Sequence, residues 1–231
     1  VPVGPVSAIS PFNFPLNLVA HKVAPGIAAG CPVVLKPASQ TPSAALLLAG
    51  FAAEAGLPAG GLSVVPCSRD GAAAFTDDDR LRLLTFTGSP EVGWALKARA
   101  GRKKVVLELG GNAAAVVEPD ADLELAASKL ALGAYYYAGQ SCISVQRILV
   151  HRDVAARFRD LLVAAVEAIP FGDPAAEATV SGPVIDAGNA GRIGEWIDEA
   201  VSGGARRLAG GVREENVVSP CLLEDAPADA Q

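Results

Sequence analysis

Short apolar runs alternate with helical stretches along the first half of the chain, and this alternation limits the possible folds more than any other feature. Strands are predicted at residues 6–9, 32–36, 62–65, 83–86 and 103–109. Helical patterns between them cover residues 16–29, 41–55 and about 71–75. Short apolar strands separated by helices indicate an α/β fold, in which a parallel sheet is covered by helices on both faces. Such sheets bind ligands at the carboxyl ends of their strands.

The pattern changes near Gly111, where we predict a domain boundary. Beyond it, the sequence predicts helices at residues 123–136, 153–168 and 187–202. A single strand is predicted at residues 145–150, and the chain finishes in a glycine-rich, polar stretch. We therefore expect the second half to form a region of its own.

Charge and hydropathy exclude several classes of function. With a net charge of −6 and a pI near 5.0, the 231 residues offer no basic face for a phosphate backbone, so nucleic-acid binding is not expected. No apolar run approaches the roughly 20 residues that span a bilayer, and the first residues lack a secretory signal pattern. We expect no membrane association and a cytoplasmic location.

The spacing of cysteine and histidine argues against a metal site. The four cysteines form no C-x-x-C pair, the two histidines lie far apart, and no cysteine has a histidine close by in sequence. We therefore expect no metal centre, no disulfide framework and no histidine-based triad. The residues concerned are Cys31, Cys67, Cys142, Cys221, His21 and His151.

Two features at predicted strand ends could contact an anion. Gly88, Ser89 and Gly93 lead from a strand into a helix, so the backbone N–H groups of that helix could face a phosphate. The G-x-G-x-x-G and P-loop patterns are absent, so a plain strand-to-helix turn stays open as the alternative. Lys36 ends an apolar strand, where it is either solvated or directed at a ligand.

Glu108 and Asn13 are polar residues among apolar neighbours. If Glu108 is buried, desolvation raises its pKa toward the range of a general base, and the two glycines after it would let another backbone come close. The alternative is an edge-strand glutamate that points to water. Asn13 lies between Phe12 and Phe14, where its amide is either an oxyanion donor or a turn or cap residue.

Cys142 follows a Gly-Gln-Ser approach and precedes a β-branched, strand-like run. Free cysteines are commonly small buried hydrophobes, so this is one reading of the residue. A nucleophilic cysteine needs a lowered pKa or a base. Without a nearby histidine, a glutamate that acts through water is the base that the sequence offers.

Five motifs resemble those of the aldehyde dehydrogenase superfamily, in the same order and over nearly the whole chain. They are I-S-P-F-N-F-P at residues 9–15, L-K-P-A at 35–38, F-T-G-S followed by Gly93 at 86–93, E-L-G-G-N at 108–112 and G-Q-S-C at 139–142. The 34 residues from Glu108 to Cys142 also match the family spacing. Any one motif could arise by chance, but five in sequence are a strong signal.

The resemblance implies a Rossmann-like dinucleotide-binding domain over residues 1–111, followed over residues 112–231 by part of a second α/β domain, which is catalytic. It implies oxidation of a small aldehyde to a carboxylic acid with NAD or NADP, through a cysteine thiohemiacetal and thioester. The implied catalytic residues are Cys142 as nucleophile, Glu108 as general base and Asn13 as oxyanion donor. The implied cofactor contacts are Ile9, Ser10, Pro11, Phe12, Lys36, Ser39, Gly88, Ser89, Gly93, Leu109 and Gly110. Phe14, Tyr136, Ser141 and Ile143 are expected to line the substrate pocket.

Ser39 departs from the family pattern, which often has a glutamate three residues after the lysine. That glutamate would bind the adenosine ribose of NAD and repel the 2′-phosphate of NADP. A neutral hydroxyl beside Lys36 removes the repulsion, so we hypothesise that NADP is accepted, with a preference for NADP as the stronger form of the hypothesis.

The chain is also about half as long as family members. Its end at residues 228–231 resembles the stretch just before the E-x-F-G-P segment, whose glutamate holds the nicotinamide ribose. It is therefore interpreted as the middle of an aldehyde dehydrogenase that forms a homo-oligomer when complete. A non-catalytic remnant with a binding or assembly role is the alternative, whereas Glu108 disfavours an acyl-transferring reductase.

Overall fold

The computed structural model describes residues 1–227; the predicted match of residues 228–231 to the family lies outside the described residues. The chain divides into a first unit, Val1–Gly110, and a second unit, Gly111–Gln231. Across residues 1–227, no helix combines the length and apolar character needed to cross a membrane.

The first unit is built on a parallel sheet, which confirms the predicted α/β class. Over residues 1–110 five strands pair in the order β3-β2-β1-β4-β5. Their bounds are β1 Val6–Ile9, β2 Val33–Lys36, β3 Leu62–Val64, β4 Leu83–Thr87 and β5 Lys104–Glu108. The chain builds outward from β1 to β3 and then returns to the other side of β1, so the strand order reverses between β1 and β4. Ligands bind such sheets at this reversal.

Helices flank the sheet because both of its faces are apolar near the centre. Ala8, Val33, Leu35 and Leu84 are fully buried, as expected for central parallel strands. The helices are α1 Asn17–Ala28, α2 Ser43–Glu54, α3 Ala73–Asp77 and α4 Pro90–Arg99. Pro25 lies inside α1, which continues for three more residues. The predicted elements are present, with bounds shifted by two residues or fewer.

The second unit packs three helices against short strands. The helices are α5 Leu123–Tyr135, α6 Ala155–Glu167 and α7 Ala187–Ser202, and a 3₁₀ turn at Tyr136–Gly139 follows α5. The core between α5, α6 and the strands includes the buried residues Ala127, Phe158, Leu162 and Val166. The strands are β6 Ala113–Val117, β7 Val145–Val150, β8 Arg206–Ala209, β9 Arg213–Glu214, β10 Val217–Val218 and β11 Leu222–Glu224.

The sequence prediction missed β6 and the strands of the polar end. β6 begins with three alanines, which have low strand propensity, yet it pairs in parallel with β7. β8 pairs with β11 and β9 with β10, each pair antiparallel. These strands are two to four residues long, which is too short for alternation to be recognised.

Candidate active site

In the first unit, the predicted site residues lie at the carboxyl edge of the sheet. Asn13 follows β1, Lys36 ends β2, Gly88 follows β4 and Glu108 ends β5. The backbone N–H of Ser10 donates to the Lys36 carbonyl at 3.1 Å, so the parallel pairing of β1 with β2 continues past the end of β1. The strand ends therefore bring these four residues to the same edge.

Asn13 lies in the short connection from β1 to α1. Its side chain is half-buried, as are those of Ile9, Pro11 and Phe12. The connection is fixed at two points: the Thr41 hydroxyl donates to the Phe12 carbonyl at 3.4 Å, and the Leu18 N–H donates to the Phe14 carbonyl at 2.9 Å. Asn13 thus sits at the point where the strand order reverses, on a constrained backbone.

The turn after β4 depends on the absence of two side chains. A Cβ at Gly88 would lie 2.5 Å from Phe86 Cζ, and a Cβ at Gly93 would lie 2.4 Å from Leu109 Cδ2. The N–H of Gly88 donates to the Glu108 carbonyl at 3.0 Å, which ties the turn to β5. Within residues 1–227 the exposed Ser89 makes no side-chain cap to α4. The close approach of α4 to the sheet places its N-terminus at the carboxyl edge.

Lys36 and Ser39 lie at the end of β2, which pairs with β1 on the side opposite to β4. Lys36 is half-buried, and its ammonium donates to the Pro37 carbonyl at 3.3 Å. Ser39 is exposed. Both side chains belong to the edge at which β2 ends.

Glu108 is exposed rather than buried, and the expectation of a desolvated carboxylate is wrong. The reason is that β5 is the edge strand of the sheet over residues 1–110, which leaves one side of it unpaired. Leu109 is half-buried and Gly110 exposed. The position matches the edge-strand alternative, and whether Glu108 acts as a base stays a prediction.

Lys22 is a residue at this edge that the sequence interpretation missed. It is only 7% exposed, and its ammonium donates to Thr87 Oγ1 at 2.7 Å and to Thr85 Oγ1 at 3.2 Å. Burial lowers the pKa of Lys22 from 10.5 to about 8, while the negative charge of Glu108 acts in the opposite direction. The signal in the sequence was a lysine three residues after Val19 and next to Val23, on the buried face of α1.

In the second unit, Cys142 lies on the loop between the 3₁₀ turn and β7. All four cysteines are free; Cys142 is exposed, Cys67 and Cys221 are half-buried, and Cys31 is buried. The reading of Cys142 as a buried thiol is therefore wrong. A Cβ at Gly111 would lie 3.1 Å from the Cys142 carbonyl oxygen, so the expected close approach of another backbone is present at Gly111, whereas Gly110 meets only the Pro90 side chain at 3.6 Å.

The predicted pocket residues of the second unit lie around Cys142. Ser141 is buried, and its hydroxyl accepts a hydrogen bond from the half-buried Tyr136 at 2.9 Å. Ile143 is 72% exposed. Ser141, Cys142 and Ile143 thus lie on one loop, to which Tyr136 in the preceding 3₁₀ turn is hydrogen-bonded. Phe14, also a predicted pocket residue, lies half-buried in the first unit.

Comparison with known proteins decides the family. The model of the "Aldehyde dehydrogenase family" matches residues 1–231. The chain belongs to the aldehyde dehydrogenase family. This confirms the resemblance that the five motifs indicated.

Relatives and solved structures in the family give the extent of the match. A 3-sulfolactaldehyde dehydrogenase of Priestia aryabhattai is 46% identical over 99% of this chain and 48% of its own length. The crystal structure of aldehyde dehydrogenase 21 from Physcomitrella patens, in complex with the reaction product succinate, superposes with a TM-score of 0.95. It is 49% identical and covers 99% of this chain and 48% of its own. The chain spans about half the length of the curated relatives it matches.

Structural neighbours in the family have been solved with both nicotinamide cofactors. An aldehyde dehydrogenase of Mycobacterium tuberculosis complexed with NAD+ has a TM-score of 0.95 and 37% identity, over 99% of this chain and 49% of its own. A glyceraldehyde-3-phosphate dehydrogenase of Methanocaldococcus jannaschii complexed with NADP has a TM-score of 0.92 and 37% identity, over 96% of this chain and 50% of its own. Neighbours of this fold therefore bind either cofactor.

Proposed function

We propose that the chain carries the chemical groups of an NAD(P)-dependent aldehyde dehydrogenase, which oxidises an aldehyde to a carboxylic acid with Cys142 as nucleophile. The observation that carries the proposal is the exposure of Cys142, since the other three cysteines are buried or half-buried. A thiol that attacks a carbonyl must be reachable by its substrate. Membership in the family supports the same role.

Cys142 would perform the first half of the reaction. Its thiolate attacks the carbonyl carbon, a C–S bond forms, and the carbonyl oxygen takes up negative charge. The backbone N–H of Cys142 and the side-chain amide of Asn13 are the proposed donors to that oxygen. Loss of one such donor typically costs about 3 to 4 kcal/mol of barrier.

The carboxyl edge of the first unit fits a dinucleotide. The absence of a Cβ at Gly88 and Gly93 lets α4 and its turn pack closely against Phe86 and Leu109. This packing brings the N-terminus of α4 to the edge, where its N–H groups favour a phosphate. When bound, the nicotinamide supplies the hydride acceptor that turns the thiohemiacetal into a thioester. Lys36, Ser39 and Ser89 are the side chains that we expect to hold the dinucleotide.

Glu108 would perform the second half. It takes a proton from water, the water oxygen attacks the thioester carbon, and the C–S bond breaks to release the acid and the Cys142 thiolate. The exposure of Glu108 at the strand edge gives water access to it. A positioned base of this kind contributes about 10²- to 10⁴-fold.

Ser39 supports acceptance of NADP. Its side chain is neutral and exposed at the end of β2, close in sequence to the Lys36 ammonium, so no carboxylate at this position repels a 2′-phosphate. Substitution Ser39→Glu is expected to weaken NADP binding at least tenfold and leave NAD binding within threefold, measured by fluorescence titration. A strong NAD preference of the unchanged chain would contradict this proposal.

The relatives suggest which aldehydes to test first. One is named for 3-sulfolactaldehyde and one was solved with succinate, both of which carry an anionic group. We propose small aldehydes with a terminal anion as the first substrate class, with Phe14, Tyr136, Ser141 and Ile143 in the pocket. A homo-oligomer is proposed for the complete protein.

A second candidate function is a non-catalytic binding or assembly module. It is favoured by one observation, that within residues 1–110 the edge strand β5 has one unpaired side, which is open to pairing with another strand. Mixing the chain rapidly with succinate semialdehyde and NADP or NAD distinguishes the two. A burst of NAD(P)H that is lost in Cys142→Ala but retained in the control Cys221→Ala supports the dehydrogenase. Absence of NAD(P)H under all conditions supports the second candidate.

A further inference from the structure

The backbone directly before the Cys142 loop is left-handed over three consecutive residues. The φ angles are 56° at Tyr137, 54° at Ala138 and 68° at Gly139. Glycine adopts this region freely, but tyrosine and alanine are disfavoured there because Cβ approaches the following carbonyl oxygen. Such a conformation persists only where surrounding contacts hold it, and it is often found at functional sites.

Contacts with a distant segment hold this turn in place. The Tyr137 N–H donates to the Val180 carbonyl at 3.1 Å, and the side chain of Gln140 bridges the same two regions. Gln140 Oε1 accepts from the Ile185 N–H at 2.9 Å, and its Nε2 donates to the Tyr137 carbonyl at 3.3 Å. One side-chain amide therefore bonds to an N–H 45 residues away and to the Tyr137 carbonyl, which also accepts from the Gln140 backbone N–H at 3.1 Å.

The segment that holds Gln140 is itself anchored. Val184 is buried, and its N–H donates to the Asn216 carbonyl at 2.8 Å. On the other side of the loop, the Ser144 hydroxyl donates to the Ala134 carbonyl at 2.8 Å and the Ser144 N–H donates to the Ser141 carbonyl at 3.1 Å. The peptide that carries the Cys142 N–H is thus fixed from both directions. On the N-terminal side the side-chain contacts include the bond from Tyr136 to Ser141 and those of Gln140, of which only Gln140 reaches the distant segment at Ile185.

We propose that Gln140 is a positioning residue for the reaction: the hydrogen bond that its Oε1 accepts from the Ile185 N–H holds the left-handed turn and thereby aims the Cys142 backbone N–H at the oxyanion. The inference rests on the proposed role of Cys142 as nucleophile. In this proposal the acceptor atom Oε1, rather than the volume of the Gln140 side chain, holds the turn in place.

Two reactions of Cys142 distinguish the positioning of its backbone N–H from the accessibility of its thiol. With p-nitrophenyl acetate, a C–S bond forms, the C–O bond breaks and p-nitrophenolate leaves through a tetrahedral oxyanion. With iodoacetamide, a C–S bond forms and iodide leaves without any oxyanion. Rates at Cys142 are measured by peptide mass spectrometry in the unchanged chain and in Gln140→Met, which keeps the length of the side chain but removes both polar atoms. Neither reaction needs a nicotinamide cofactor.

We expect Gln140→Met to slow acylation at least tenfold and to change alkylation less than threefold. Gln140→Glu keeps an oxygen that accepts from the Ile185 N–H, so its acylation rate should remain within threefold of the unchanged chain. Gln146→Met applies the same exchange at an exposed position of β7 and should change neither rate. Equal loss of both reactions, no loss of acylation, or failure of Gln140→Glu to retain the rate would overturn the proposal.

Failure of the proposed function itself gives a different result. If Cys142 of the unchanged chain is acylated no faster than in the urea-denatured chain, Cys142 is not an activated nucleophile and both proposals fall. If the unchanged chain is acylated faster than the denatured chain but Gln140→Met has no effect, only the positioning role of Gln140 is wrong.

Discussion

At the carboxyl edge of the first sheet, the site residues lie at the ends of strands or shortly after them, whereas Cys142 follows a left-handed turn. Asn13, Lys36, Gly88 and Glu108 are placed by parallel pairing, which any apolar strands of suitable length would provide. The Cys142 loop instead depends on individual polar contacts, among them those of Gln140. We therefore expect the carboxyl edge of the first sheet to tolerate the loss of polar contacts but to be sensitive to added volume. We expect the Cys142 loop to be sensitive to the loss of polar contacts and to tolerate added volume better.

The largest expected effect separates the chemical tasks of the two regions. Cys142→Ala should lower NAD(P)H formation at least 10³-fold, including the first turnover, because no thiohemiacetal can form. Glu108→Gln should retain the first-turnover burst and slow later turnovers about 10²-fold or more, because only thioester hydrolysis needs the base. Rapid-mixing absorbance at 340 nm measures both. Loss of the burst in Glu108→Gln would contradict this division of roles.

The effect of the buried Lys22 ammonium, at the carboxyl edge of the first sheet, on the free energy of unfolding can be measured through its pH dependence. The pKa of Lys22 is about 8 in the folded protein, against the usual 10.5 that is expected in the unfolded chain. Between these two values the folded protein binds fewer protons than the unfolded chain, so the free energy of unfolding rises with pH. The full shift corresponds to about 3 kcal/mol, of which about 2 kcal/mol falls between pH 7.5 and 9.5. Urea unfolding at the two pH values should show this rise.

The variant Lys22→Met should lack the rise and should be at least as stable as the unchanged chain at pH 7.5, since removing a buried charge is often neutral or stabilising. The control Lys129→Met, at an exposed position, should keep the rise. A pH slope that persists in Lys22→Met would show that another group causes it.

Added volume at the first edge should have the next largest effect. Gly88→Ala places a methyl group 2.5 Å from the Phe86 ring, which is 5% exposed and has little room to move. We expect a loss of about 1 to 3 kcal/mol in the free energy of unfolding. Gly110→Ala meets Pro90 at an ordinary 3.6 Å and should stay within about 0.5 kcal/mol. Equal stability of the two variants in urea would argue against tight packing at Gly88.

The smallest effect concerns the strained turn of the second region. Tyr137→Asn should raise the free energy of unfolding by about 1 kcal/mol, because asparagine tolerates the left-handed region better than tyrosine. Tyr137→Ala keeps the strain and should show no gain. If both variants are destabilised to the same extent, contacts of the Tyr137 ring outweigh the backbone strain.

The sequence was sufficient to predict the strands of the first sheet and the carboxyl edge at which the candidate site residues lie. Apolar strands such as residues 83–86 and the glycines at 88 and 93 carry a strong local signal, and the structure places them as expected. The sequence left two readings of Glu108 open, buried or exposed at an edge strand, and could not decide between them because its apolar neighbours do not reveal that β5 lies at the edge of the sheet. Burial depends on strand order, which local pattern does not fix.

The second region was less predictable from sequence. The left-handed turn at Tyr137 and Ala138 uses residue types that rarely adopt this conformation, and the bond from Ile185 to Gln140 joins positions far apart in the chain. Lys22 was missed for a similar reason, because its partners Thr85 and Thr87 lie on a different element. Contacts between distant residues leave no periodic signal.

The role of Cys142 as nucleophile is tested most directly by detecting an acyl group on its sulfur. The Glu108→Gln variant is mixed with succinate semialdehyde and NADP or NAD, quenched in acid, digested and analysed by mass spectrometry. We expect a succinyl thioester on the peptide that contains Cys142. It should form only when cofactor is present, and it should accumulate to a higher level in Glu108→Gln than in the unchanged chain. An acyl group on another cysteine, or NAD(P)H formation with Cys142 left unmodified throughout, would contradict it.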